Sequence, residues 1–111
     1  SGVEGLELPH AASGMKHVWN QYTVRVQGGF RDQLRNYLGE RNVGTEIYYP
    51  VPLHQQACFA DLPQRQPLPV TEQAAAEVLS LPIFPELTAT QQGAVVDQIS
   101  RFFAQRVRSA A

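Results

Sequence analysis

The chain has 111 residues, 43% hydrophobic and 17% charged, with a formal charge of −1 at pH 7. That length holds one domain with a modest core, and the apolar share excludes a disordered chain. A charge so near zero argues against nucleic acid as a partner, no apolar run reaches the ~20 residues of a membrane span, and the single cysteine, Cys58, allows neither an internal disulfide nor a cysteine-based metal cluster.

Residues 1–15, rich in Gly, Ala, Pro and Ser, read as a lead-in segment whose Leu6–Pro9 stretch suits loose pairing with a sheet edge. From His17 to Val26 the pattern alternates. Val18, Asn20, Tyr22, Val24 and Val26 fall on one face and His17, Trp19, Gln21, Thr23 and Arg25 on the other, which predicts a first strand ended by Gly28-Gly29. Phe30, Leu34, Tyr37 and Leu38 recur at helical spacing and predict a helix over 30–41, with Asn42 and Gly44 as residues that tolerate left-handed backbone at its end. Thr45 to Tyr49, β-branched and aromatic, reads as a second strand stopped by Pro50.

Residues 61–69 carry three of the eight prolines and predict a loop. Val70 to Leu79 has the composition of a helix, with Glu72 placed to suit the positive end of its dipole. The stretch SLPIFP is bounded by proline and fits a brief edge strand. Thr88 to Gln91 matches a capping box opening a last helix that buries Val95, Val96, Ile99, Phe102 and Phe103. The predicted fold class is therefore α+β: a small sheet of about three strands, mainly antiparallel, covered by three helices. Its expected core is Leu34, Leu38, Ile47, Val78, Leu79, Val96, Ile99, Phe102 and Phe103. The opposite sheet face, with His17, Trp19, Gln21 and Arg25, is where a second domain or subunit is expected to pack.

Candidate chemistry is sparse. Cys58 has His54 four residues before it but nothing to orient such a base, so it reads as a small buried apolar group. His10, His17 and His54 lack the short spacings of a zinc site, and no metal is expected. Glu46, Asp61, Glu72 and Asp97 are scattered and read as solvated faces and helix-start charges. The only lysine, Lys16, lacks any sign of the shielded pocket a Schiff-base lysine needs. No catalytic residue is expected in this chain. The stretch TEIYYPVPLHQQ stands out, because Tyr48, Tyr49 and His54 on a proline-stiffened backbone form a polar set suited to orienting a ligand. Against this, each tyrosine is also a favoured strand residue.

The stretches HVWNQYTVRV, LGERNVGTEIYYPVPLHQQACFA, LPVTEQAAAEVLSLPIFPELT and QQGAVVDQISRFF, in this order from about Met15 to Phe103, resemble the C-terminal small domain of the DegT/DnrJ/EryC1/StrS family of sugar aminotransferases. The resemblance implies that residues 16–111 form that small domain of the aspartate-aminotransferase (fold type I) architecture. It implies a homodimeric, pyridoxal-phosphate-dependent enzyme that moves an amino group from glutamate to a keto-sugar on a nucleoside diphosphate. In the family the cofactor and its Schiff-base lysine sit in a large N-terminal domain that these residues do not include, so the chain alone is expected to be catalytically incomplete and to hold no cofactor.

By family position, Tyr48, Tyr49 and His54 lie at the mouth of the active site as substrate-binding residues. Asn20, with Gln21 and Tyr22, matches a polar stretch of the first small-domain strand. Many relatives have histidine where this chain has Tyr48, whose hydroxyl can donate to a phosphate but adds no charge. Two other readings stand beside this one: a stand-alone ligand-binding or oligomerisation module on the same scaffold, and a family member whose lysine is replaced and whose chemistry has turned to dehydration. No signal-peptide pattern opens the chain, and with a lone cysteine a reducing, cytoplasmic location is expected.

Overall fold

A computed structural model describes residues 2–63 and 66–110. Leu6–Glu7 forms a short outer strand, β1, and Tyr22–Val26 the central strand, β2. Gly28 and Gly29 follow with φ of +75° and +76°, a backbone that side-chain-bearing residues rarely adopt, and turn the chain into α1, Arg31–Gly39. Asn42, at φ 59°, leads out of that helix as its short amide side chain permits. After two single-turn 3-10 helices, Leu53–Gln55 and Ala57–Phe59, come α2, Pro69–Glu77, and directly from it β3, Val78–Leu81. The last helix, α3, is Ala89–Ser109. Its capping box is complete: Gln91 N–H donates to the Thr88 hydroxyl over 3.1 Å, and Thr88 N–H to the Gln91 side-chain oxygen over 3.0 Å.

The three strands are antiparallel in the order β1-β2-β3. Period-two alternation sorts their side chains. Val24 pairs with Leu79 and Val26 with Leu6 on the face covered by α1 and α3, and Leu34, Leu38, Ile99, Phe102 and Phe103 close the core there. On the other face Thr23 meets Ser80, hydroxyl to hydroxyl at 2.7 Å, and the Arg25 guanidinium grips the Glu77 carboxylate at 2.7 and 3.0 Å. Arg31 ties α1 to the end of α2 by donating to the carbonyls of Ala75 and Val78.

The structure shortens three predicted elements. The first strand begins at Tyr22 rather than His17, because Tyr22 pairs with Leu81 and the next residue on β3's side is Pro82, which has no N–H to donate. The second strand shrinks to one antiparallel bridge, Glu46 with Ser80, closed by N–H···O bonds of 3.0 and 2.8 Å. Val78 and Leu79, expected in the second helix, stand in β3, with Val78 already extended at φ −70° and ψ 139°. Four ladder pairs with β2 outweigh the helix propensity of the alanine-rich run. Val96 is 61% exposed instead of buried, since Val95, Ile99, Phe102 and Phe103 occupy the helix face turned to the sheet.

Candidate functional site

Past the Glu46 bridge the chain leaves the sheet, and its geometry is set by proline. Pro52, itself buried and at φ −54°, fixes the approach to the first 3-10 turn, where Gln55 N–H returns to the Pro52 carbonyl at 2.9 Å. Before that turn the tyrosine side chains stand in water: Tyr48 is 51% exposed and Tyr49 74%.

Tyr48 stands between two grooves. One, of about 350 Å³, it shares with Asn20, Gln21, Thr45, Glu46 and Phe84. The other, of about 420 Å³, it shares with Tyr49, Val51, Gln55, Gln56 and Ala57. Asn20 reaches the first groove from a tight turn in which its N–H donates to the Val18 carbonyl at 3.1 Å. The structure therefore brings Asn20 to Tyr48 and Tyr48 to Tyr49.

It places His54 elsewhere. The ring turns back on its own domain, with Nε2 2.8 Å from the Glu72 carboxylate and only 17% of the side chain exposed. Its accessible edge lies on a third groove, of about 830 Å³, with Leu53, Phe59, Leu62 and Leu68. The His54 hydrogen bond holds the Glu72 carboxyl below its ordinary value, with a lesser contribution from the Leu68 N–H. Sequence reasoning treated Glu72 as a helix-start charge and missed this pairing, because the partners lie 18 residues apart on elements with no shared period. It also missed an apolar groove of about 340 Å³ where Val96 joins Trp19, Tyr22, Leu81 and Ile83. The His17 ring stacks on Trp19 at 3.8 Å beside it.

Two further residues bear on chemistry. Cys58 is exposed rather than buried; it rides the outer side of the Ala57–Phe59 turn while Phe59 turns partly inward. Lys16 is exposed just after the Ala12–Met15 turn, without the shielded pocket that a Schiff base to pyridoxal phosphate requires, so Lys16 does not fit that role. Among the described residues no three His, Cys, Asp or Glu side chains gather to hold a metal, and no helix is long and apolar enough to cross a membrane.

Residues 1–100 match the DegT/DnrJ/EryC1/StrS aminotransferase family. A dTDP-3-amino-3,4,6-trideoxy-alpha-D-glucose transaminase of Streptomyces venezuelae is 40% identical over 111 residues, covering 99% of this chain and 28% of that protein. A Geobacillus stearothermophilus protein named pleiotropic regulatory protein is 46% identical over 96 residues, 86% of this chain and 25% of its own length. Among solved structures, DesV of S. venezuelae in complex with a ketimine intermediate superposes with a TM-score of 0.83 at 38% identity, over 92% of this chain and 27% of that one. NtdA of Bacillus subtilis with bound cofactor PMP gives 0.74 at 31% identity, over 86% and 22%. The chain thus spans about a quarter of the length of the relatives it matches.

Proposed function

Because this chain belongs to the DegT/DnrJ/EryC1/StrS aminotransferase family, we propose that it is the C-terminal small domain of a pyridoxal-phosphate-dependent enzyme that transfers an amino group from glutamate to a nucleotide-linked keto-sugar. Superposition of its three-stranded antiparallel sheet and three helices on about a quarter of aminotransferases of fold type I supports reading it as their small domain. In this reading residues 16–111 are the body of the domain, residues 1–15 lead into it, and the enzyme is a cytoplasmic homodimer. The name of the S. venezuelae transaminase supports a nucleotide sugar as substrate class, and the ketimine and PMP complexes support the cofactor. Pyridoxal phosphate, when bound elsewhere in the protein, supplies the electron sink.

This chain's own part is to bind and orient the sugar nucleotide. The observation that carries the reading is the convergence of Asn20 and Tyr48, from distant segments, on one groove of about 350 Å³. The Asn20 amide offers two donors and an acceptor, and the Tyr48 hydroxyl donates to a phosphate or sugar oxygen. Tyr49 presents a ring face in the adjoining groove. His54 adds an imidazole edge from the third groove.

The test is a comparison of half-reactions in the full-length enzyme. Tyr48→Phe and Asn20→Ala should raise KM for the nucleotide-linked keto-sugar while the glutamate half-reaction stays unchanged. Equal loss in both halves would implicate cofactor geometry or folding, and no loss in either would remove the two residues from the site. The second reading is a stand-alone ligand-binding or oligomerisation module on the same scaffold. Amino-group transfer by the full-length protein decides between them.

A further inference from the structure

The backbone of the turn that carries His54 is closed by short-range bonds. Leu53–Gln55 is a single 3-10 turn with no buried residue, and its backbone bonds reach only three positions along the chain. Its successors Gln55, Gln56 and Ala57 nevertheless form one wall of the groove that Tyr48 and Tyr49 complete. The helix α2 is suited to fix that wall, because its C-terminal end is anchored: Arg31 donates to the carbonyls of Ala75 and Val78, and Glu77 receives Arg25. From this anchored helix the Glu72 carboxylate reaches His54 Nε2 at 2.8 Å.

We propose that Glu72 is a positioning residue of the sugar site: by accepting the Nε2–H of His54 it fixes the ring's tautomer and orientation, and pins the Leu53–Ala57 turn as a wall of the Tyr48–Tyr49 groove. An ionised carboxylate can only accept, so Nε2 must carry the proton in this pair. The hydrogen bond keeps the Glu72 carboxyl below its ordinary value, which supports the ionised form. A carboxylate serving the helix start alone would be spent on backbone N–H groups, yet its contact with the Leu68 N–H is long, at 3.4 Å, against the short bond to the ring. The same arrangement, a carboxylate behind an imidazole, orients histidines in many functional sites.

The inference rests on the sugar-site reading, and the experiment separates the two. In the full-length enzyme Glu72→Ala should raise the sugar KM roughly tenfold, the worth of one charge-assisted hydrogen bond, with the glutamate half-reaction unchanged. Glu72→Gln, whose amide oxygen still accepts, should restore most of that loss. The double variant with His54→Ala should be no worse than His54→Ala alone. Additive losses, or a harmless Glu72→Ala beside a damaging His54→Ala, would overturn the positioning role. Harmless Tyr48→Phe, Asn20→Ala and His54→Ala together would overturn the site reading, and the positioning role with it. Should Glu72→Ala not fold, the imidazole 15N shifts of the unsubstituted protein decide: a protonated Nε2 supports the pair, and an Nδ1–H tautomer overturns it.

Discussion

The two sides of this domain treat the same residue types in opposite ways. Between the sheet and the helices α1 and α3, Val24, Val26, Leu34, Leu38 and Leu79 are fully shielded from water. Along the segment from Tyr48 to Leu68, Tyr49 is 74% exposed, Leu53 65% and Leu62 60%. Side-chain chemistry does not separate these sets; backbone period does. Where the chain repeats every two or 3.6 residues, apolar groups line up and close on one another. Where prolines and single 3-10 turns govern the backbone, successive side chains fan out. That side is tied to the rest by pins, the Glu46–Ser80 bridge and the His54–Glu72 pair among them. On the closed side a substitution should therefore act on stability, and on the open side on ligand binding.

The largest effect is expected at the centre of the closed side. Phe102 is 5% exposed, its ring 5.3 Å from both Tyr37 and Phe103 and with the Arg106 guanidinium at 4.4 Å. Replacing it by alanine removes a packed ring, unseats that cation and leaves a cavity, at a cost of about 3–5 kcal/mol in denaturant unfolding. A loss under ~1 kcal/mol would mean that the core relaxes as freely as the open side, and the contrast would collapse.

Next comes Glu77, whose side chain is 12% exposed. Burial pushes its carboxyl up, but hydrogen bonds from Gln73 and Arg25, with the Arg25 charge, outweigh burial and leave it below its ordinary value of 4.5. The unfolded chain then takes up the proton more readily than the folded one. Glu77 accordingly contributes stability above that ordinary value and loses it as pH falls through the folded value. Glu77→Ala should cost about 2 kcal/mol at neutral pH, the figure being held down because Arg25 is one-third exposed. Glu77→Gln should flatten the fall of stability in acid; an unchanged acid limb would assign that fall to other carboxylates.

Helix starts and stripes were legible in the sequence because they are local. The Thr88–Gln91 box, the Leu34–Leu38 stripe and the Gly28–Gly29 turn each need only neighbouring residues to be read. What escaped depends on partners far along the chain. The shift of Val78 and Leu79 from helix to strand is decided by β2, more than fifty residues earlier, and the end of β3 before Pro82 leaves His17–Gln21 beyond a pairing partner. Of the proposed site, Tyr48, Tyr49 and Asn20 are singled out by composition and family position, and between them the three line two adjoining grooves. Glu72 is not, since a glutamate in a helix's first turn has a sufficient local explanation. The capping box supplies a measure of how much such local devices contribute: Thr88→Ala should cost about 1 kcal/mol by thermal unfolding, less than either long-range contact above. A loss as large as that of Phe102→Ala would show that α3 is held by its end rather than by its stripe.

The smallest stability effect is expected at Tyr49. With 74% of its surface in water and Pro50 after it to hold the backbone, the ring contributes little to the fold. Tyr49→Ala should change the unfolding free energy by no more than about 0.5 kcal/mol. An aromatic ring left in water on a loop stiffened by Pro50 and Pro52 is nonetheless well placed for a ligand, because little conformational entropy remains to be lost when a partner stacks on it. In the full-length aminotransferase proposed above, the same variant should weaken the nucleotide-linked keto-sugar several-fold while glutamate turnover holds. A variant that destabilised the protein without touching the sugar would place Tyr49 on the closed side of the comparison, and the boundary drawn at the Glu46 bridge would have to move.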